Sequence, residues 1–168
     1  MAKRTLGCYH VLFFIQCRQN NALKMNYPFE TFADIQSLQQ TVTDSFVELA
    51  QSVIAENGVF RVSLSGGSTP RRVYEMLAER DLPWDQIQFF WGDERNVPHE
   101  HQDSNFGMVR TALLSKIDVP SENIHPVPVD VQAPEKAAQE YDQTLRDHFG
   151  GGMPKWDLVL LGMGDDAH

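Results

Sequence analysis

Val59-Phe60-Arg61-Val62-Ser63-Leu64 runs without a break into Ser65-Gly66-Gly67-Ser68-Thr69-Pro70. The first half is a short apolar run of the kind that makes a buried strand. The second half is a glycine turn, after which Pro70 suits the first turn of a helix, with Thr69 or Ser68 as its expected N-cap. Strand, turn and helix in immediate succession open a βαβ unit, and the alternation continues on both sides. Upstream, Ile35, Leu38, Val42, Phe46, Leu49, Val53 and Ile54 recur at three- and four-residue spacing from Asp34 to Glu56. That is the period of a helix with one buried face, and Asn57-Gly58 tolerates the left-handed backbone that ends it. Phe29 to Phe32 precedes this helix as an expected first strand. Downstream, the pattern predicts a helix over Arg71 to Arg80, a strand at Ile87 to Trp91, a loop over Asn96 to Asp103 and a helix from Asn105 to about Leu114, capped by Ser104. An extended piece at Ile124 to Pro128, a helix at Ala133 to Phe149, the turn Gly150-Gly151-Gly152 and a strand at Trp156 to Leu161 complete it. Such alternation predicts the α/β class, a doubly wound, mostly parallel sheet with helices on both faces.

The chain has 168 residues, enough for one domain with a substantial core but not two. Hydrophobic residues make up 42% and charged residues 22%, which argues against disorder. A net charge of -9 without a Lys/Arg cluster disfavours nucleic acid and anionic membranes as partners. An anionic ligand must then be met locally, by backbone N–H groups and one or two arginines. Both cysteines, Cys8 and Cys17, precede the patterned region, so a disulfide framework is not expected and a reducing, cytoplasmic setting is. Lys3 and Arg4 followed by apolar Leu6 to Ile15 superficially copy a secretory signal, but polar Gln16, Arg18, Gln19, Asn20 and Asn21 replace its cleavage pattern. Residues 1–24 are read as an extension outside the fold and 25–168 as a single α/β domain.

Ligands in open parallel sheets sit beyond the carboxyl ends of the strands, and three motifs occupy that position. In Ser65 to Pro70, the glycines let backbone N–H groups approach an anion at a helix N-terminus, although a plain strand-to-helix turn has the same residues. The motif is neither a Walker loop nor a dinucleotide fingerprint, whose spacings it lacks. The second, Trp91-Gly92-Asp93-Glu94-Arg95-Asn96-Val97-Pro98, brings carboxylates and a guanidinium to a strand end. Arg95 can fork onto a phosphate and Asp93 can orient a base or polarise a water, unless the pair only shapes the loop. His99 and His101 are read as solvated rather than metal ligands, for want of a third ligand at suitable spacing. The third, Gly162-Met163-Gly164-Asp165-Asp166-Ala167-His168, sets a carboxylate two residues from an imidazole, as a general base requires.

Taken in this order, and with Asp103-Ser104-Asn105-Phe106 and Leu160-Leu161-Gly162-Met163-Gly164, the motifs resemble those of the 6-phosphogluconolactonase family, a branch of the superfamily that includes glucosamine-6-phosphate deaminase. The likeness covers about Tyr27 to His168. It implies a Rossmann-like α/β fold, incomplete at the C-terminus, and cofactor-free, metal-free hydrolysis of 6-phosphogluconolactone to 6-phosphogluconate in the oxidative pentose phosphate pathway. Carried over by position, it makes Gly66, Gly67, Ser68 and Thr69 the phosphate loop and Arg95 a second phosphate or ring contact. His168 becomes the base that activates water, with Asp166 or Asp93 in support. The implied partner is a small sugar phosphate, and the full-length family is expected to be monomeric. Ala167 stands where the family pattern has glycine, and the family continues beyond the position of His168 with a helix, strands and a basic residue that meets the phosphate. The chain is therefore expected to be inactive as written. Glucosamine-6-phosphate deaminase is the nearest alternative, disfavoured because its pattern would resemble Asp-Glu-Tyr where this chain has Arg95. A non-catalytic sugar-phosphate-binding module is the other alternative.

Overall fold

The computed structural model describes residues 14–15 and 30–162. Helix α1 (Ile35–Asn57) starts where Asp34 accepts the Ser37 N–H at 2.7 Å, a bond that also holds the Asp34 carboxyl below its ordinary range. It stops at Gly58, whose φ of 75° lets its N–H return to the Ile54 carbonyl at 2.8 Å. Between these ends Leu38, Val42, Phe46, Ala50 and Val53 form the buried stripe that their spacing predicts. The remaining elements are β2 (Phe60–Leu64), α2 (Ser68–Leu77), β3 (Ile87–Trp91), α3 (Asn105–Ala112), β4 (Ile124–His125), α4 (Pro134–His148) and β5 (Leu158–Val159). Phe14–Ile15 form β1, and the rest of residues 1–24 lie outside the described residues.

The sheet order is β1-β5-β2-β3-β4. Strands β5, β2, β3 and β4 run parallel, whereas β1 pairs antiparallel with β5. The parallel α/β class follows as expected. Alternate residues of the central strands point to opposite faces. Phe60, Val62 and Leu64 of β2 and Ile87, Phe89 and Trp91 of β3 join the core beneath α1, α2 and α3. Phe90 faces the other way and packs on His148 and Phe149 at the end of α4, so helices cover both faces.

Two strands are shorter than their sequence pattern. β4 pairs only at Ile124 and His125, because Pro126 and Pro128 beyond it have no N–H to give a ladder. β5 pairs at Leu158 and Val159, after which the Leu160 N–H makes one more bond to the Ser63 carbonyl at 2.9 Å. Of the strand expected at Phe29 to Phe32, Phe29 lies outside the described residues. The rest is not a strand: Thr31 makes an isolated bridge and Phe32 packs against the core.

The winding fixes where a ligand belongs. From β2 the chain steps outward through β3 to β4, then returns through α4 to place β5 on the opposite side of β2. The order reverses between β2 and β5, and the crevice beyond their carboxyl ends is the topological switch point of an open sheet. Ser65 to Pro70 leaves β2 at that point, and Leu161-Gly162 leaves β5 there.

Candidate active site

The tip of β2 is held by Tyr74, a buried residue nearly two helical turns into α2. Its hydroxyl donates to the Ser65 carbonyl at 2.8 Å and accepts the Ser65 N–H at 3.1 Å, satisfying both backbone groups of the first residue past the strand. Burial pushes the Tyr74 hydroxyl well above the usual phenol range, and the nearby Asp93 charge adds to the shift. The phenol is thus a fixed neutral donor and acceptor.

The chain then passes Gly66 and reaches Gly67, whose φ of 110° only glycine adopts without strain. Gly67 is the N-cap residue of α2, and Ser68 and Thr69 already lie inside the helix. The expectation that Thr69 or Ser68 caps α2 is therefore corrected. A cap needs non-helical backbone, and the left-handed glycine supplies it one residue earlier, so the helix starts with no side-chain cap. The Ser68 and Thr69 N–H groups stand at the positive end of a ten-residue helix, which suits an anion. Gln39 of α1 braces this turn by donating to the Thr69 carbonyl at 3.4 Å.

A second loop leaves β3 beside the first. Leu64 and Trp91 are register partners, and the Gly92 N–H donates to the Leu64 carbonyl at 3.0 Å. Tyr141 of α4 serves Trp91 as Tyr74 serves Ser65, donating to its carbonyl at 2.8 Å and accepting its N–H at 2.9 Å. The Glu94 carboxylate accepts the backbone N–H of Asn105 at 2.7 Å, of Phe106 at 2.8 Å and the Ser104 hydroxyl at 3.2 Å. It is the anionic cap of α3, with Ser104 taking the Gly107 N–H at 3.0 Å. Asp93 is held differently. Asn105 Nδ2 donates to its carbonyl and to its Oδ2, each at 3.1 Å, and the same amide lies over the Cα of Gly66, where a methyl group would collide with it. Arg95 is exposed and its side chain makes no ion pair among the described residues, so the loop is not shaped by an Asp–Arg or Glu–Arg bridge.

The structure thus brings Gly66, Gly67, Ser68 and Thr69 next to the loop of Asp93 and Arg95. His168, Asp166 and Ala167 lie outside the described residues. His99 departs from expectation. It is half-buried, its ring Nε2–H donates to the Val127 carbonyl at 3.0 Å and the ring packs on Phe106 at 4.7 Å, so it ties loops together. His101 is exposed, and its Nδ1 accepts the Asp103 N–H at 3.2 Å. Among the described residues no three His, Cys, Asp or Glu side chains gather into a metal-binding group.

Residues 33–168 match the family described as glucosamine-6-phosphate isomerases/6-phosphogluconolactonase. The chain belongs to this family. It is 45% identical over 147 residues to a 6-phosphogluconolactonase of Nostoc sp. strain PCC 7120, covering 86% of this chain and 61% of that one. It is 49% identical over 118 residues to the 6-phosphogluconolactonase of Synechocystis sp. strain PCC 6803, covering 68% and 49%. A solved 6-phosphogluconolactonase from Thermotoga maritima superposes with a TM-score of 0.70 at 37% identity, over 77% of this chain and 57% of that one. That from Trypanosoma brucei gives a TM-score of 0.70 at 29% identity, over 80% and 59%. The chain spans 49% to 61% of the length of the two cyanobacterial relatives. For a chain of the glucosamine isomerase and lactonase family, two structural residues had escaped the sequence pattern. Glu94 is read only as one of the carboxylates at a strand end, with no role of its own, and it caps α3. Asn105 is read as a helix start, although it also belongs to the Asp103-Ser104-Asn105-Phe106 stretch that carries the resemblance.

Proposed function

We propose that the chain belongs to a lactone hydrolase that converts 6-phospho-D-glucono-1,5-lactone to 6-phosphogluconate, and that it carries the phosphate anchor of that site. One observation carries this reading. The uncapped start of α2, built on Gly67, opens at the switch point of the sheet beside Asp93 and Arg95, whose side chain makes no ion pair among the described residues. The Ser68 and Thr69 amides, with Gly66 and Gly67 allowing close approach, take the phosphate, and Arg95 forks onto it or meets the ring. Binding energy from this anchor holds the lactone carbonyl in place, so a positioned water and a base suffice for an already activated ester. His168 accepts a proton from the water as its oxygen bonds to the carbonyl carbon, with Asp166 or Asp93 supporting the imidazolium. Collapse of the tetrahedral adduct breaks the bond to the ring oxygen, which takes the proton back from His168. No cofactor takes part in these steps.

Calorimetry of the purified chain with 6-phosphogluconate and with gluconate tests the anchor. The phosphorylated acid is expected to bind at least about tenfold more tightly, the worth of one charge-assisted hydrogen bond, and Gly67→Ala to lose that margin. Equal affinities would overturn the proposal, as would ammonia release from glucosamine 6-phosphate. A cytoplasmic location, expected from the sequence, belongs to the same proposal and is checked by microscopy of the tagged chain.

A further inference from the structure

A helix that begins at Asn105 ordinarily uses polar side chains near its start to satisfy its own amides. Here that work is done by others: Ser104 takes the Gly107 N–H, and Glu94 takes those of Asn105 and Phe106. The Asn105 side chain, only 7% exposed, is left for a different use. Among the described residues its two side-chain hydrogen bonds both go to Asp93, one to the backbone carbonyl and one to the carboxylate. The Oδ2 atom is thereby pinned, and Asp93 Oδ1 has no hydrogen-bond partner among the described residues. The other surface of the same amide rests on Gly66, in the loop that presents the α2 amides. One rigid planar group therefore touches the anion loop on one side and fixes a carboxylate on the other.

We propose that Asn105 is a positioning residue that sets the separation between the phosphate anchor and Asp93, and so selects phosphorylated sugar acids over free phosphate. This rests on the reading of the α2 N-terminus as a phosphate anchor. A ligand whose phosphate sits on the Ser68 and Thr69 amides extends its hydroxyls toward Asp93, whose Oδ1 has no hydrogen-bond partner among the described residues. Inorganic phosphate uses only the anchor, whereas 6-phosphogluconate uses the anchor and the fixed carboxylate together.

The two ligands separate positioning from bracing. Asn105→Ala removes the donor and the contact with Gly66. Asn105→Asp keeps the shape but replaces the donor with a charge that repels Asp93. In both variants the preference for 6-phosphogluconate over inorganic phosphate, measured as the ratio of Kd values by calorimetry, is expected to fall by about tenfold or more. Affinity for inorganic phosphate itself should stay within about threefold, less than the loss of one hydrogen bond. An unchanged ratio in folded variants overturns the inference while leaving the anchor intact, and so does a parallel loss of both ligands. A wild-type chain that binds neither ligand overturns the anchor, and this inference with it. Should the variants fail to fold, the wild-type Asn105 side-chain amide decides by NMR. Its resonances are expected to shift on adding 6-phosphogluconate and not on adding phosphate, and equal responses overturn the inference.

Discussion

Gly66→Ala puts a methyl group where the Asn105 amide lies, and its cost follows from what that amide does. Forcing a methyl into a packed position costs about 1–3 kcal/mol. Swinging Asn105 aside breaks two hydrogen bonds of 3.1 Å, one of them to a carboxylate, for about 1 kcal/mol each and somewhat more for the charged one. The expected loss is about 3–4 kcal/mol in total. At about 3 °C per kcal/mol for a domain of this size, Tm should drop by about 10 °C. Gly66 does not have a left-handed backbone, so an alanine there is not strained in itself. Once Asn105 is shortened to glycine, the methyl therefore has room. Asn105→Gly alone should cost about 2 kcal/mol or a little more, for the lost hydrogen bonds and a glycine in the helix. The double variant should cost no more than that, giving a coupling energy of about 3–4 kcal/mol, the whole cost of the single Gly66 change. Urea denaturation of the four proteins measures it. Additive effects, within about 0.5 kcal/mol, would refute the contact between the two loops.

Tyr74→Phe strands the buried N–H and carbonyl of Ser65, and at about 1–3 kcal/mol for each orphaned group a urea titration should show a loss of several kcal/mol. Glu94→Ala uncaps α3 and should cost about 1–2 kcal/mol by the same measurement, with amide hydrogen exchange rising at Asn105 and Phe106. His125 is pulled down to about 4 by burial and then by the neighbouring His148, while its Nε2–H donates to Gln88 at 2.6 Å. Because the unfolded imidazole titrates near 6.5, protonation favours unfolding, so this group subtracts nothing above that pH and progressively more stability as pH falls toward about 4. Asp157, raised by burial, acts with the opposite sign in the carboxylate range, so the comparison is with His125→Phe, whose urea midpoint should fall less steeply between pH 6.5 and 4.5. Parallel pH profiles for the two proteins would contradict this.

What could be read from the sequence was local. The Asp34 cap, the apolar spacing and Gly58 all act within a turn or two of the chain, and they mark α1 to within a residue. The run from Val59 to Pro70 likewise carries its own strand, turn and helix, whereas the place of this turn at the switch point depends on the strand order, which the alternation alone does not fix. What escaped depends on partners distant in sequence. Whether Glu94 does chemistry or caps a helix is decided by α3, ten residues on. Gly66 has to be glycine because of Asn105, and nothing near Gly66 announces that. The cap of α2 was misplaced for a different reason, since serine and threonine are the usual cap residues and the left-handed Gly67 took the position instead.

Two phenols, one from each side of the sheet, close off the backbones of Ser65 and Trp91. Each acts as a terminator, ending its ladder at a set height without needing a further strand or solvent to accept the last polar groups. Whatever follows hangs from a fixed peg. Insertions, deletions or exchanges among the residues beyond these two pegs therefore have a way to alter the rim of the crevice without loosening the platform below. A scaffold organised like this can host different chemistries by changing its fringes alone.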